Sequence, residues 1–200
     1  MSEKLIGSVK IQRGDARKLP SLASRSIDAV ITSPPYLNAI DYLRGHRLSL
    51  VWLGFGVPDI KRLRSESIGA ESSAEDLVSP RMLDELLRQA GCISDLPSRE
   101  IGMVKRYAQD VYGFLRELAR VTKRGGKVLL VVGNSCLKGT PVWNANISLA
   151  AASMLGFETI ARSERALPIS HRYLPLPALD RSGNLGRRIR TETLLNLRAC

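Results

Sequence analysis

The chain has 200 residues, of which 44% are hydrophobic and 24% charged, and its 30 Lys and Arg against 19 Asp and Glu leave a formal net charge of +11. This balance suits one compact domain, excludes collagen-like, mucin-like and wholly disordered chains, and points toward a polyanionic partner. Three cysteines without a CxxC pair and two histidines support neither a disulfide framework nor a zinc site, and no apolar run approaches a membrane span. The expectation is a cytoplasmic protein with no metal and no membrane contact.

In chain order, residues 8–12 and 28–32 read as short strands, the second an Ala-Val-Ile run followed closely by two prolines. Apolar residues at Ile40, Leu43, Leu48, Val51 and Trp52 give residues 38–53 a loose helical pattern, with Gly45 as its weak point. Residues 58–100 differ in kind, being rich in Ser, Arg, Glu and Asp, with one helix expected over 80–89. They form a candidate insertion within a single domain covering 1–200.

A firmer helix follows, because Val104, Tyr107, Val111, Phe114, Leu115 and Leu118 recur at spacings of three and four, and Gly125-Gly126 stops it. Residues 127–132 read as a buried parallel strand. A helix over about 143–155 ends at Gly156, residues 157–161 form another strand, and residues 188–197 have strand character.

Strands and helices alternating at these lengths imply an α/β sheet with helices on both faces, where ligands sit in the loops after the carboxyl ends of strands. Those loops read Arg-Gly-Asp-Ala after Gln12, Ser-Pro-Pro-Tyr after Thr32 and Gly-Asn-Ser after Val132. The second carries the most information. Its prolines fix two φ angles, remove two backbone donors and force Ser33 out of the helical region. The Ser33 hydroxyl and the Pro34 carbonyl then become neighbouring acceptors, suited to a planar exocyclic amine, and Tyr36 adds a flat face for a heterocycle. On these residues alone, a proline-capped strand end followed by a core tyrosine stays open as the plainer account.

The run Ile31-Thr32-Ser33-Pro34-Pro35-Tyr36, preceded by Gly14-Asp15-Ala16 and Asp28-Ala29-Val30, resembles the amino-methyltransferases that modify exocyclic nitrogens of DNA bases. The Ser form of this motif is most typical of the cytosine-N4 branch. The resemblance extends to Leu37-Asn38-Ala39-Ile40-Asp41-Tyr42, to the stretch from Arg124 through Gly133-Asn134-Ser135, and to Leu155-Gly156-Phe157-Glu158. It implies a Rossmann-like sheet, S-adenosylmethionine as methyl donor, and Ser33, Pro34, Pro35 and Tyr36 as the catalytic loop.

It further implies Asp15 near the cofactor's adenine and Asn38 and Asp41 near its amino-acid end, although Asp15 also reads as a turn residue and Asn38 as a helix N-cap. Asn134 and Ser135 either shape the pocket or make a turn. Ser170-His171-Arg172-Tyr173 falls where the family lines its target-base pocket, or is a solvated basic loop. The implied substrate is DNA, methylated at cytosine N4 as in restriction-modification systems. Adenine-N6 or RNA and tRNA methylation, or a noncatalytic nucleic-acid-binding remnant, are the alternatives.

One family feature is missing from this sequence. The glycine-rich strand-to-helix turn that holds the cofactor's methionine part is not found, and Gly54-Phe55-Gly56 follows a helical pattern and leads into Pro58. The chain therefore reads as the catalytic half, an incomplete sheet lacking the cofactor-binding first strand, and an open edge and an apolar surface are expected. Three accounts stay open: a truncated or split gene, a two-chain enzyme completed by a second chain carrying the motif, or a divergent protein with a nonstandard cofactor loop. Residues 161–200 hold eight arginines against Glu164, Asp180 and Glu192, which suits phosphate contact. Lys61-Arg62-Leu63-Arg64 forms a second basic cluster within 58–100, the stretch suited to target recognition.

Overall fold

The computed structural model describes residues 7–37, 42–68, 78–91, 93–167 and 191–200. The expectations for Asn38, Asp41 and residues 170–173 lie outside the described residues. In chain order the elements are β1 (Ile27–Thr32), α1 (Tyr42–Gly45), α2 (Arg47–Trp52), α3 (Val57–Glu66), α4 (Pro80–Gln89), α5 (Ser98–Val121), β2 (Thr122–Gly133), β3 (Ser135–Leu137), β4 (Thr140–Val142), α6 (Asn144–Met154), β5 (Phe157–Ala166) and β6 (Thr191–Ala199).

The α/β expectation is met by a mixed four-stranded sheet of order β1-β2-β6-β5. β1 runs parallel to β2, whereas β6 is antiparallel to both β2 and β5. Alternation along β2 buries Val128, Leu130 and Val132, and in β6 it buries Leu195 and Leu197 opposite them. Against this face pack Val104, Tyr107, Val111, Leu115 and Leu118 of α5 and Ala145, Ile147 and Ala151 of α6, in one continuous core. α4 adds Leu86 and Leu87, and Leu96 follows, so part of the polar stretch 58–100 supplies buried apolar groups. Ser79 caps α4 by accepting from the Met82 N–H, with Pro80 at the first helical turn.

The opposite face is less covered than the sequence suggested. Leu129 and Val131 are half-buried and Ile31 is 78% exposed. A run of five apolar residues cannot reveal which of its two faces lacks a covering layer, because the residues of both are apolar.

Three local expectations are corrected. Residues 8–12 form no strand: Val9 and Ile11 are exposed, and the nearest pairing is the isolated bridge of Asp15 with Lys18. Their alternation is real, but among the described residues no strand lies beside them. Of the helix expected over 38–53, the described residues from 42 on form the short α1 and α2, separated at His46, and α2 buries nothing. Gly125-Gly126 does not stop α5, which ends at Val121; both glycines lie inside β2. There Gly125 takes φ +73° and the β1–β2 register shifts between Ile27 and Ala29, as a bulge requires.

Candidate active site

The Ser-Pro-Pro-Tyr loop leaves the carboxyl end of β1, where Pro34 is buried and Ser33 and Pro35 are exposed. β1 is an edge strand here, with β2 on one side and no strand on the other among the described residues. The Ser33 hydroxyl lies 3.1 Å from the Val131 carbonyl of β2, to which it donates, and 3.1 Å from the Tyr36 hydroxyl. Tyr36 is half-buried and donates to Glu192 Oε1 at 3.0 Å. The Arg165 guanidinium forks onto the other carboxylate oxygen, Oε2, through Nε at 2.9 Å and Nη2 at 2.8 Å.

Sheet register explains how residues so distant in sequence meet. Glu192, the second residue of β6, pairs across to Gly133 on one side and Arg165 on the other, at the level where β2 ends. Burial raises the Tyr36 phenol above its ordinary pKa; the bond to Ser33 lowers it, and the Glu192 bond and charge add to the rise. Tyr107 lies fully buried near it, its own phenol pushed up by the same desolvation.

The loop is also held from behind. Ser135 donates to the Leu37 carbonyl, and Asn144, fully buried, donates through Nδ2 to Ser135 Oγ at 2.7 Å and to the Gly133 carbonyl at 3.0 Å. Asn134 accepts from the Ala145 N–H at 3.2 Å and so covers an orphan donor at the start of α6. Of the two readings of Gly-Asn-Ser, Asn134 takes the turn-and-cap role, while Ser135 fixes the residue following Tyr36.

Asp15 is engaged by a neighbour. Its Oδ1 accepts from the Arg17 backbone N–H at 2.9 Å and from Nε at 3.1 Å, and its Oδ2 accepts from Nη2 at 2.8 Å. Arg17 reaches on to Asp110 of α5, a buried carboxylate, at 2.6 Å. The Arg17 hydrogen bonds hold the Asp15 carboxyl below its usual range, and the Asp15 bond raises the guanidinium in turn. α5 grips the same segment further along. Glu117 accepts from the Leu19 N–H at 2.9 Å, and Arg120 donates to the Leu19 and Leu22 carbonyls at 2.8 and 3.0 Å.

Glu192, Arg165, Arg17, Asp110 and Asn144 were not found by reading the sequence. Glu192 stands among the other polar residues of β6, Thr191, Thr193, Asn196 and Arg198, so nothing in the sequence set it apart. Among the described residues, no group of three or more His, Cys, Asp or Glu is placed to hold a metal ion, and no helix is long and apolar enough to cross a membrane. A groove lined by Glu85, Gln89, Asn146, Ser153 and Arg162 shares no residue with the Ser-Pro-Pro-Tyr loop.

No family model matches the chain. It is 28% identical over 202 residues to the type II methyltransferase M.AvaI of Nostoc sp. and of Anabaena variabilis, covering 91% of this chain and 39% of theirs. The type II methyltransferase M.BsoBI of Geobacillus stearothermophilus is 28% identical over 170 residues, covering 71% of this chain and 33% of that protein. Among solved structures, the cytosine-N4-specific PvuII DNA methyltransferase aligns at 15% identity and TM-score 0.49, over 92% of this chain and 47% of its own. TTHA0409 of Thermus thermophilus, complexed with S-adenosyl-L-methionine, aligns at 18% identity and TM-score 0.44, over 93% and 53%. These relatives are type II methyltransferases, and the chain spans about two fifths of the length of the M.AvaI relatives.

Proposed function

We propose that this chain is the catalytic portion of a site-specific DNA methyltransferase that transfers the methyl group of S-adenosylmethionine to the exocyclic N4 amine of cytosine. The observation that carries the reading is the exposed Ser33 hydroxyl, held at the mouth of a proline-rigid loop by Val131 and Tyr36. The type II methyltransferase homologues support methyl transfer as the reaction.

The cytosine amine is a poor nucleophile, because its lone pair is delocalised into the ring. Ser33 Oγ and the Pro34 carbonyl accept its two hydrogens and favour a pyramidal nitrogen whose lone pair is free to attack. Since the loop is rigid before the base arrives, little reorganisation is needed when it does. A duplex base reaches such a site by swinging out of the stack, and the exposed part of Tyr36 is the surface it meets. The cofactor, when bound, supplies an electrophilic methyl carbon.

Asp15 fits the cofactor role in part. Its carboxyl stays ionised and its side chain is 43% exposed, but Arg17 already donates to both of its oxygens, so a cofactor hydrogen would share an oxygen with that guanidinium. Asn38 and Asp41 are assigned to the same cofactor, and the glycine-rich turn, carried by the rest of a longer chain or by a second chain, completes the site. Residues 58–100 serve target recognition.

The test incubates the full chain, alone and with a glycine-motif partner, with labelled S-adenosylmethionine and either duplex DNA or tRNA, followed by nucleoside analysis. Label in N4-methylcytosine from DNA supports the reading. Label in N6-methyladenine or in tRNA moves it to the alternative substrates, and bound nucleic acid with no transfer identifies a noncatalytic remnant.

A further inference from the structure

The hydroxyl chain at the loop has a direction, and Glu192 sets it. An ionised carboxylate carries no hydrogen and only accepts. Tyr36, 3.0 Å from Glu192 Oε1, must therefore spend its single hydrogen there. The Tyr36 oxygen is left as an acceptor toward Ser33, 3.1 Å away, and the Ser33 hydrogen points inward, to Tyr36 or to the Val131 carbonyl. Both lone pairs of Ser33 then remain for a donor outside. Were Tyr36 to point its hydrogen at Ser33 instead, one of those lone pairs would be consumed. Arg165 keeps the arrangement in place, because its fork takes Oε2 and leaves Oε1 for Tyr36. The pair sits where charge matters, with the Glu192 side chain 13% exposed and that of Arg165 58% exposed.

We propose that Glu192 is a positioning residue, which acts through Tyr36 to keep the Ser33 hydroxyl oriented as an acceptor for the hydrogen of the target amine. This rests on the reading that Ser33 meets such an amine. It assigns a role in substrate orientation to a strand residue outside the Ser-Pro-Pro-Tyr motif, and a supporting role to Arg165.

Two measurements on the full chain separate this proposal from the function it rests on. The first needs no catalysis: tyrosine labelled with carbon-13 at Cζ is followed by NMR through a pH titration, and Tyr36→Phe identifies the Tyr36 signal. In Glu192→Gln the carboxylate charge is gone, so Tyr36 ionises at lower pH than in the wild type. In Arg165→Gln the guanidinium is gone, so it ionises at higher pH. These opposite displacements are the expected signature; a Tyr36 titration unmoved in both variants overturns the hydroxyl chain. Arg165→Gln alters an exposed side chain and decides the matter if Glu192→Gln fails to fold.

The second measurement is methyl transfer to cytosine-containing DNA. Here Glu192→Gln, whose amide is able to donate to Tyr36 and reverse the chain, lowers kcat about tenfold or more with KM for DNA within about twofold. A raised KM with unchanged kcat overturns the orienting role. If the wild-type protein with its partner methylates no cytosine, the proposed function fails. The NMR displacements then still decide whether Glu192 orients Tyr36, and the amine-acceptor role falls with the function.

Discussion

Tyr36 donates a 3.0 Å hydrogen bond to Glu192, which stands 156 positions later in the chain. This bond joins the loop after β1 to the Arg165–Glu192 pair near the end of the ladder between β5 and β6, and with the Ser33 contact it links the loop's hydroxyl groups to the sheet. The site is thus built by the sheet as much as by its own tetrapeptide.

Ser33→Ala removes the acceptor at the centre of this arrangement. Because the hydroxyl acts on the amine being methylated, turnover of the reconstituted enzyme is expected to fall about 100-fold, with S-adenosylmethionine affinity changed less than about threefold. Single-turnover methyl transfer and calorimetry measure the two quantities separately. Unchanged turnover would remove Ser33 from the mechanism.

Gly126 sits in the bulge that joins β1 to β2. A Cβ there would meet the Lys123 carbonyl at 2.8 Å, the Asp28 carbonyl at 3.0 Å and Thr122 Cγ2 at 2.6 Å, and backbone carbonyls do not move aside cheaply. Gly126→Ala is expected to cost about 2 kcal/mol through overpacking, seen as a lower denaturant midpoint. Gly125 faces open space but takes φ +73°, so Gly125→Ala is expected to cost about 1 kcal/mol from backbone strain alone. Equal stability of Gly126→Ala and the wild type would show that the bulge is softer than its contacts indicate.

These glycines also show what was legible in the sequence. The periodicity of Val104 through Leu118 marked α5, and the helix expected over 80–89 matches α4. The strand ends were harder. β5 runs on from Ala161 to Ala166 through Arg162, Ser163, Glu164 and Arg165, polar and exposed residues held by pairing to β6. Backbone pairing of that kind leaves no hydrophobic trace. The Ser-Pro-Pro-Tyr loop was legible because two prolines act locally, whereas Glu192 and Arg165 join it only through sheet register. Asp15 stood out in a Gly-Asp-Ala turn, but its fork to Arg17, and the tie from Arg17 to Asp110, 93 residues on, had no sequence signal.

Arg17 bridges the Asp15 turn to α5, and its contact with Asp110 is mostly sheltered from water. Arg17→Met takes a guanidinium from a buried carboxylate while keeping much of the side-chain volume. The expected loss is about 2 kcal/mol, since the buried Asp110 carboxylate gives up its 2.6 Å charge-assisted bond from Arg17. Denaturant unfolding measures the loss, and amide exchange in residues 15–26 should quicken with it. A stability within about 0.5 kcal/mol of the wild type would mean that Asp110 is satisfied without Arg17.

The same segment is expected to be acid-labile. Asp15, through Arg17, and Glu117, through Arg120 and the Leu19 N–H, are held ionised below their ordinary range. A carboxylate with a depressed folded-state pKa stabilises fully above its unfolded value and loses that contribution as pH falls through the folded value. Thermal midpoints should therefore drop as pH goes from about 5 to about 3, with a shallower drop in Glu117→Gln. Identical acid profiles for the two proteins would exclude Glu117 as a contributor.

The last prediction concerns the cofactor. A ligand of this kind needs a tight glycine turn where backbone approaches its methionine part, with an acidic residue after the next strand for the ribose hydroxyls. No such turn is found in this sequence. The geometry is consistent with a missing neighbour: β1 pairs with β2 alone among the described strands, Ile31 lies 78% exposed, and Leu129 and Val131 of the same sheet are only half-buried. An edge strand beside a partly exposed apolar face is where a further strand and its helix would dock. The 200-residue chain by itself is therefore expected to bind S-adenosylmethionine with a Kd weaker than about 100 μM, and a strand-turn-helix unit carrying the glycine motif, fused or added as a second chain, is expected to bring it to the low micromolar range. Calorimetry on the purified chain, with and without that unit, is the measurement. Micromolar binding by the chain alone would show that its cofactor site is built from other residues, with Asp15, Asn38 and Asp41 the first to substitute.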